Sequence, residues 1–322
     1  MPMNRLRKLS SYRSKGFTLI ELMISIALGL IILSALIALF VNNSSARREL
    51  DRSAEVLENG AYAIGYLRDE LSMAGYLGTL DVVTGTATNT SCSKVLADWK
   101  DSLAVHVRGA NHTGADPFSA CGFARKSGTD AIFIQRAATC TTGSTSSDCE
   151  AMNAGLAYLQ ISECGTEFPT TPFILALGTA SNFTLQLKSC TGTAPVRRLV
   201  RRFFFINANG QLVRRDVIPN SILAEQVIAD GIDNLQFEYA IDTDGDGAPN
   251  KFTYAPTDPE WLGVVGVRVF ILARSLSESR DYKDDKKYNL ADWALSTPSN
   301  DAFRRRVFST YVNFANPQGR LE

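Results

Sequence analysis

Five oxygen-bearing side chains stand in one short run of this chain, Asp242-Thr243-Asp244-Gly245-Asp246-Gly247-Ala248-Pro249-Asn250. Acids at positions 1, 3 and 5, glycine at 6 and an amide at 9 follow most of a calcium loop. Asp242, Asp244, Asp246 and Asn250 are therefore candidate calcium ligands, and calcium is the one cofactor the sequence raises. Position 12 is Thr253 where a bidentate Glu would stand. An acidic hairpin turn whose aspartates make Asx-turns fits the same residues, so calcium and a metal-free turn stay level.

Six cysteines are the second chemical set: Cys92, Cys121, Cys140, Cys149, Cys164 and Cys190. Their number is even and no Cys-x-x-Cys occurs, which favours disulfides over zinc or redox chemistry. Cys140 with Cys149 is the favoured pair, because the Thr/Ser/Gly-rich loop between them has little else to order it. The two histidines, His106 and His112, have no acids clustered near them in sequence and are expected to be solvated or capping. Nucleophile elbow, P-loop, His-Glu-x-x-His and dinucleotide fingerprints do not occur, so no enzymatic constellation emerges.

The third chemically pointed residue is Glu21, the one charge in residues 17–41. That stretch is long enough for a helix to cross a bilayer core. Arg5, Arg7, Lys8, Arg13 and Lys15 precede it with no acid among them, which keeps the N-terminus cytoplasmic and sends the bulk outward. An intramembrane carboxylate costs up to a few kcal/mol at mid-bilayer and ordinarily has a partner. In a secretory signal a small residue follows the apolar core; here the small residue, Gly16, precedes it. Cleavage there would remove a basic leader and keep the helix. The new ammonium at Phe17 would lie one turn from Glu21, and a neighbouring helix could offer its own.

These residues sit on legible elements. From Ser44 to Ala74 the chain turns amphipathic, with Leu50, Ala54, Leu57, Ala61, Ile64, Leu67 and Leu71 at spacings of three and four. Both halves can form one helix of roughly 58 residues, with Asn42 to Ser45 and Gly60 as places to bend or melt. Its apolar stripe is expected to be the spine of a β-domain. Residues 79–130 carry weak periodic signals. Strands are expected at Ala131–Ala137, Leu156–Glu163 and Phe183–Lys188, then a hairpin from Val196 to Ile206 and Gln211 to Ile218 about a type I′ turn at Asn209-Gly210. Arg197, Arg198, Arg201, Arg202, Arg214 and Arg215 on this hairpin read as solvated faces and salt bridges. Strands at Leu235–Ile241, Val264–Leu272 and Arg306–Phe314 complete the chain, with residues 277–289 as a solvated charged loop.

Length and charge fit this layout. The 322 residues leave room for one large or two small globular units after the helix. Lys and Arg total 33 and Asp and Glu total 33; losing the five leader cations leaves 28 basic groups against 33 acidic ones. A body of that sign does not suit nucleic acid.

The run Gly16-Phe17-Thr18-Leu19-Ile20-Glu21 resembles the class III signal of type IV pilins and type II secretion pseudopilins. The resemblance implies cleavage between Gly16 and Phe17 by a prepilin peptidase, N-methylation of Phe17, and an assembly role for Glu21. Further on, Glu58-Asn59-Gly60, Tyr62-Ala63-Ile64, Asp69-Glu70-Leu71 and Ala74-Gly75-Tyr76-Leu77-Gly78 resemble the minor pilin family called PilW. So does the layout Leu235 to Tyr239, the acidic loop, Val265 to Val269 and Arg306 to Phe314. The family implies an α+β, type IV pilin-like fold, with a long N-terminal helix packed on a mainly antiparallel sheet. The organisation expected is a leader at 1–16, a transmembrane half-helix at 17–41, an amphipathic half at 42–75 and a β-rich domain at 76–322. It further implies a minor pilin that helps prime assembly and sits in a tip complex. The partners implied are the prepilin peptidase, other minor pilins, the major pilin, and the inner membrane with its assembly machinery. A J-type pseudopilin of type II secretion and a pilus-tip adhesin module remain as alternatives.

Overall fold

The computed structural model describes residues 16–80, 85–142, 150–280, 282–295 and 299–317. Helix α1 (Leu19–Ser72) is continuous through Asn42 to Ser45 and through Gly60, so neither place melts. It stops at a left-handed Gly75 (φ 74°), with a second at Gly78 (φ 75°), where the sequence places the helix stop. The chain divides into two compact units, with the boundary between Asp51 and Arg52.

In the first unit every described residue is exposed or nearly so, including Phe17 at 84% and Phe40 at 74%. A helix apolar all round and unburied by its own chain suits lipid or other helices. Its serine hydroxyls are satisfied within the helix: those of Ser25, Ser34 and Ser45 donate to the carbonyls of Glu21, Ile31 and Val41 at 2.7, 2.8 and 3.0 Å.

The second unit holds α1 from Arg52 onward, a short helix, α2 (Leu96–Asp101), and a sheet of β1 (Val107–Ala110), β2 (Ala131–Ala137), β3 (Ala157–Ile161), β4 (Phe173–Leu177), β5 (Val196–Ile206), β6 (Leu212–Ile218), β7 (Ser221–Ile222) and β8 (Gln226–Ala229). Its order is β1-β2-β5-β3-β4, with β6 beside β5 and carrying β7 and β8. Next come β9 (Ile232–Ile241), β10 (Lys251–Thr253), β11 (Val264–Arg274), a small hairpin of β12 (Tyr288–Leu290) and β13 (Trp293–Leu295), and β14 (Arg305–Asn313). The second sheet runs β10-β9-β11-β14, and its pairs are all antiparallel.

Period-two alternation decides which face each residue serves. In β5, Phe203 and Phe205 enter a core with Trp99, Leu103, Phe118 and Leu159, while Phe204 and Ile206 enter the core beneath α1. The α1 stripe in that core is Val56, Gly60, Ala63, Leu67 and Leu71. It shares only Leu67 and Leu71 with the stripe expected; Ile64 is partly buried, and Ala54, Leu57 and Ala61 stay exposed. The small residues lead because the sheet comes closest there. A Cβ on Gly60 would lie 2.1 Å from the Phe308 ring.

Other expectations need correction. Phe183–Lys188 makes only an isolated bridge, Gln186 to Thr193, and the strand is β4 instead. At the β5–β6 turn only Gly210 is left-handed (φ 72°), so the turn is not type I′. Asn207 organises it: its Oδ1 accepts from the N–H groups of Asn209 (3.0 Å) and Gln211 (3.1 Å). Most described residues in 277–289 are exposed as expected, but Asp284 is fully buried and accepts from Arg305 at 2.9 Å and from the Tyr288 hydroxyl.

Candidate functional site

The start of α1 is built by its own sequence. Thr18 precedes the first helical residue, and its N–H and hydroxyl both donate to Glu21 Oε2, at 3.0 and 2.9 Å. The Glu21 N–H donates back to the Thr18 hydroxyl at 3.3 Å. This is a reciprocal capping box, whose Thr-x-x-Glu signature stands in Thr18-Leu19-Ile20-Glu21. It engages one carboxylate oxygen and leaves Oε1 free of these bonds. Gly16 has open space where a Cβ would stand. Residues 1–15, the rest of the expected leader, lie outside the described residues.

The acidic loop closes the β9–β10 hairpin. The carboxylates of Asp242, Asp244 and Asp246 offer oxygens within 4.8 Å of one another, with Asp242 buried and the other two exposed. Asp242 also holds the loop together. Its Oδ1 accepts from the N–H groups of Asp244 (3.1 Å) and Gly245 (2.7 Å), and its Oδ2 from Gly247 (2.8 Å). Gly245 and Gly247 make this possible at φ 80° and 81°. Burial pushes the Asp242 carboxyl up, but the N–H groups of Gly245 and Gly247 outweigh it and hold it below the usual carboxylate range. Asn250 turns inward to the hairpin instead, its Oδ1 accepting from the Thr243 N–H and hydroxyl at 3.1 and 3.0 Å. The three acids fit a hard divalent cation of modest affinity; Asn250 is committed elsewhere, and Thr253 lies in β10.

Two disulfides are described, Cys92–Cys121 and Cys164–Cys190. Each closes a loop of 29 or 26 residues, worth about 3–4 kcal/mol in the chain-entropy account. Cys140 is also disulfide-bonded, while Cys149, its expected partner, lies outside the described residues.

Neither histidine is solvated. His106 is buried, with Nε2 2.7 Å from the Val264 carbonyl. The His112 N–H donates to Asp130 at 2.7 Å, and its Nδ1 lies 3.4 Å from Asp130 and 3.8 Å from Asp292. Folding thus supplies the acids that sequence distance hid. Burial pushes the Asp130 carboxyl up to about 7, against the N–H groups of Phe237 and His112.

The arginines are fasteners more than solvated faces. Arg202 forks onto Glu70 of α1 at 2.7 and 2.8 Å and meets Asp216 at 3.2 Å, while Arg214 reaches Asp216 (3.1 Å) and the Tyr66 hydroxyl (2.8 Å). Arg201 is wholly buried, donating to the Thr90 carbonyl at 2.9 Å and lying over Trp99 and Phe133. Burial lowers its guanidinium to about 9, still a cation at neutral pH.

Comparison with known proteins fits both ends of this architecture. Residues 11–37, spanning the capping box and most of the apolar half-helix, match the prokaryotic N-terminal methylation motif. Residues 203–316, from the end of β5 through β14, match the family described as Type IV Pilus-assembly protein W, PilW. Curated protein sequences give no match. Among solved structures, a type IV-like pilin from Thermus thermophilus matches with a TM-score of 0.42 and 12% identity, over 83% of this chain and 97% of that one. A methylation motif on the apolar helix and a PilW match across the C-terminal sheet together support a type IV pilus minor pilin similar to the PilW family.

Proposed function

We propose that this minor pilin takes part in priming pilus assembly and is incorporated in a complex at the pilus tip. The observation that carries the reading is the pairing of a capped, fully exposed apolar helix bearing the methylation motif with a separately folded PilW-type domain. In this reading a prepilin peptidase cuts between Gly16 and Phe17 and the new N-terminus is methylated. The helix holds the chain in the inner membrane in a single pass, N-terminus inward, until the assembly machinery draws it out. Other minor pilins and the major pilin are then its neighbours. The three-aspartate loop is a dispensable, weak divalent-cation site on the exported domain.

Deleting the chain in its native strain and counting surface pili tests priming, and end-on immunogold labelling tests the tip. Loss of pili restored by the wild-type chain, with label at one filament end, is the expected result. Unchanged piliation would overturn the priming role, and if protein secretion failed instead, the chain would act in a secretion pseudopilus.

A further inference from the structure

The second sheet has two edges of unlike character. β10 is three residues long and opens with Lys251, tied to Glu260. β14 is nine residues long, and from Val307 to Val312 it has neither charge nor proline. Its register with β11 runs unbroken from Gly266 opposite Asn313 to Arg274 opposite Arg305. Proteins ordinarily blunt an edge with short strands, charges, prolines or bulges. The β10 edge follows that practice and the β14 edge does not.

Hydrogen-bond parity fixes what the edge presents. The Phe314 N–H donates to the Val265 carbonyl at 2.8 Å, and the Ser275 N–H donates to Arg304 at 2.9 Å. In an antiparallel ladder, alternate residues exchange both main-chain bonds with the same neighbour. The even-numbered residues of β14 therefore bond β11, and the N–H and C=O groups of Val307, Ser309 and Tyr311 point away from it. Among the described residues no main-chain group meets them there. Val307 is 38% and Tyr311 41% exposed, and Ser309 is exposed too. Exposed Arg306 flanks the edge on one face; on the other, Arg268, directly opposite Tyr311, is already paired with Glu238 of β9.

We infer that the outward edge of β14 is a strand-addition site, filled by an extended segment of another pilin-class subunit that carries an acidic residue opposite Arg306. The added strand takes main-chain bonds from Val307, Ser309 and Tyr311 and sets apolar side chains against Val307 and Tyr311. This rests on the pilus-assembly reading above.

The test exploits the parity. Ser309→Pro removes only an outward N–H and is compatible with an edge, whereas Thr310→Pro removes a donor to Val269 and should unfold the domain. In the native strain, the full-length Ser309→Pro chain should be processed normally and melt in detergent like wild type. Its amount in the sheared-pilus fraction should fall roughly tenfold or more, as expected for losing one or two ladder bonds and adding a clash. The double variant Val307→Lys/Tyr311→Lys keeps the backbone and should show the same loss, so it decides the matter if the proline variant does not fold. Wild-type levels of a folded Ser309→Pro or of the lysine variant in pili would overturn the edge while leaving the pilin role intact. Wild-type chain missing from the pilus fraction would overturn the pilus reading and the edge with it. Pairing of the purified chain with itself through residues 307–311 in detergent would overturn the assignment to a different subunit.

Discussion

At the scale of single residues, Glu21 caps its helix and is proposed to pair across subunits, and two substitutions separate these tasks. Its Oε2 caps the helix through Thr18, and its charge is available to an ammonium. Glu21→Ala removes both; Glu21→Gln keeps an acceptor for the cap and loses only the charge. If pairing with a neighbour's N-terminus drives assembly, both variants should be cleaved and inserted yet reach the pilus poorly, which immunoblots of membrane and sheared-pilus fractions can read. Assembly of Glu21→Gln at wild-type level with failure of Glu21→Ala would assign the role to the cap. Asp242 shows a similar overlap. Because three backbone N–H groups already satisfy it, the loop needs no metal to fold. Calcium should act through the repulsion of the remaining acids, binding on the order of 10⁻⁴ to 10⁻³ M. At ten times such a dissociation constant the linkage is about 1.4 kcal/mol. A modest rise in melting temperature between chelator and calcium, erased by Asp244→Ala, is the expected outcome; superimposable curves would leave only the turn.

At the scale of elements, the docking of α1 depends on an absence of side chain. Gly60 sits under Phe308, and a methyl there would meet the ring at 2.1 Å. Replacing glycine with alanine in a helix ordinarily gains up to about 1 kcal/mol. Overpacking of a tight contact ordinarily costs about 1–3 kcal/mol, so Gly60→Ala should lower the melting temperature of the full chain in detergent. Phe308→Ala combined with Gly60→Ala should cost less than the two single changes added; strict additivity would show that the contact is not what matters. The same residue explains what could be read from the sequence and what could not. Strands with strong alternation or aromatic runs were legible nearly to the residue, as in Ala131–Ala137 and Val196–Ile206. The α1 stripe was misplaced because a hydrophobicity pattern follows large residues, whereas close packing selects Gly60 and Ala63. Residues 277–289 read as solvated because their charges were visible, while the partner that neutralises Asp284, Arg305, lies 21 positions away. The Glu21 site was legible because its chemistry is local. The acids around His112 were not, since Asp130 and Asp292 arrive from separate elements.

At the scale of the whole molecule, opposing carboxylates shape the response to pH. Asp301, held by hydrogen bonds from Arg305, lies below the ordinary carboxylate range; so does Asp233, where Lys126 and Arg305 outweigh the effect of burial. Glu260 is brought to about 2, chiefly by Lys251. Groups of this kind contribute stability above their unfolded pKa, and that contribution is lost as pH falls through the lower folded one. Asp130 has the opposite sign. Its folded pKa of about 7 lies above the roughly 3.9 of an unfolded aspartate. Between those values the folded chain holds a proton that the unfolded chain has released, so this contribution is largest near the acid end and declines as pH rises toward 7. The groups around Asp130 are His112, Asp292, Tyr239 and Arg125, and its two N–H donors come from Phe237 and His112. Melting curves of the full chain in detergent from about pH 4 to 8 should therefore show Asp130→Asn gaining on wild type as pH rises, with a flatter profile through the interval below 7. The loss of stability in stronger acid should remain, because Asp233, Asp301 and Glu260 are untouched. Parallel profiles for the two proteins would mean that Asp130 stays ionised throughout, its two backbone N–H bonds outweighing its burial.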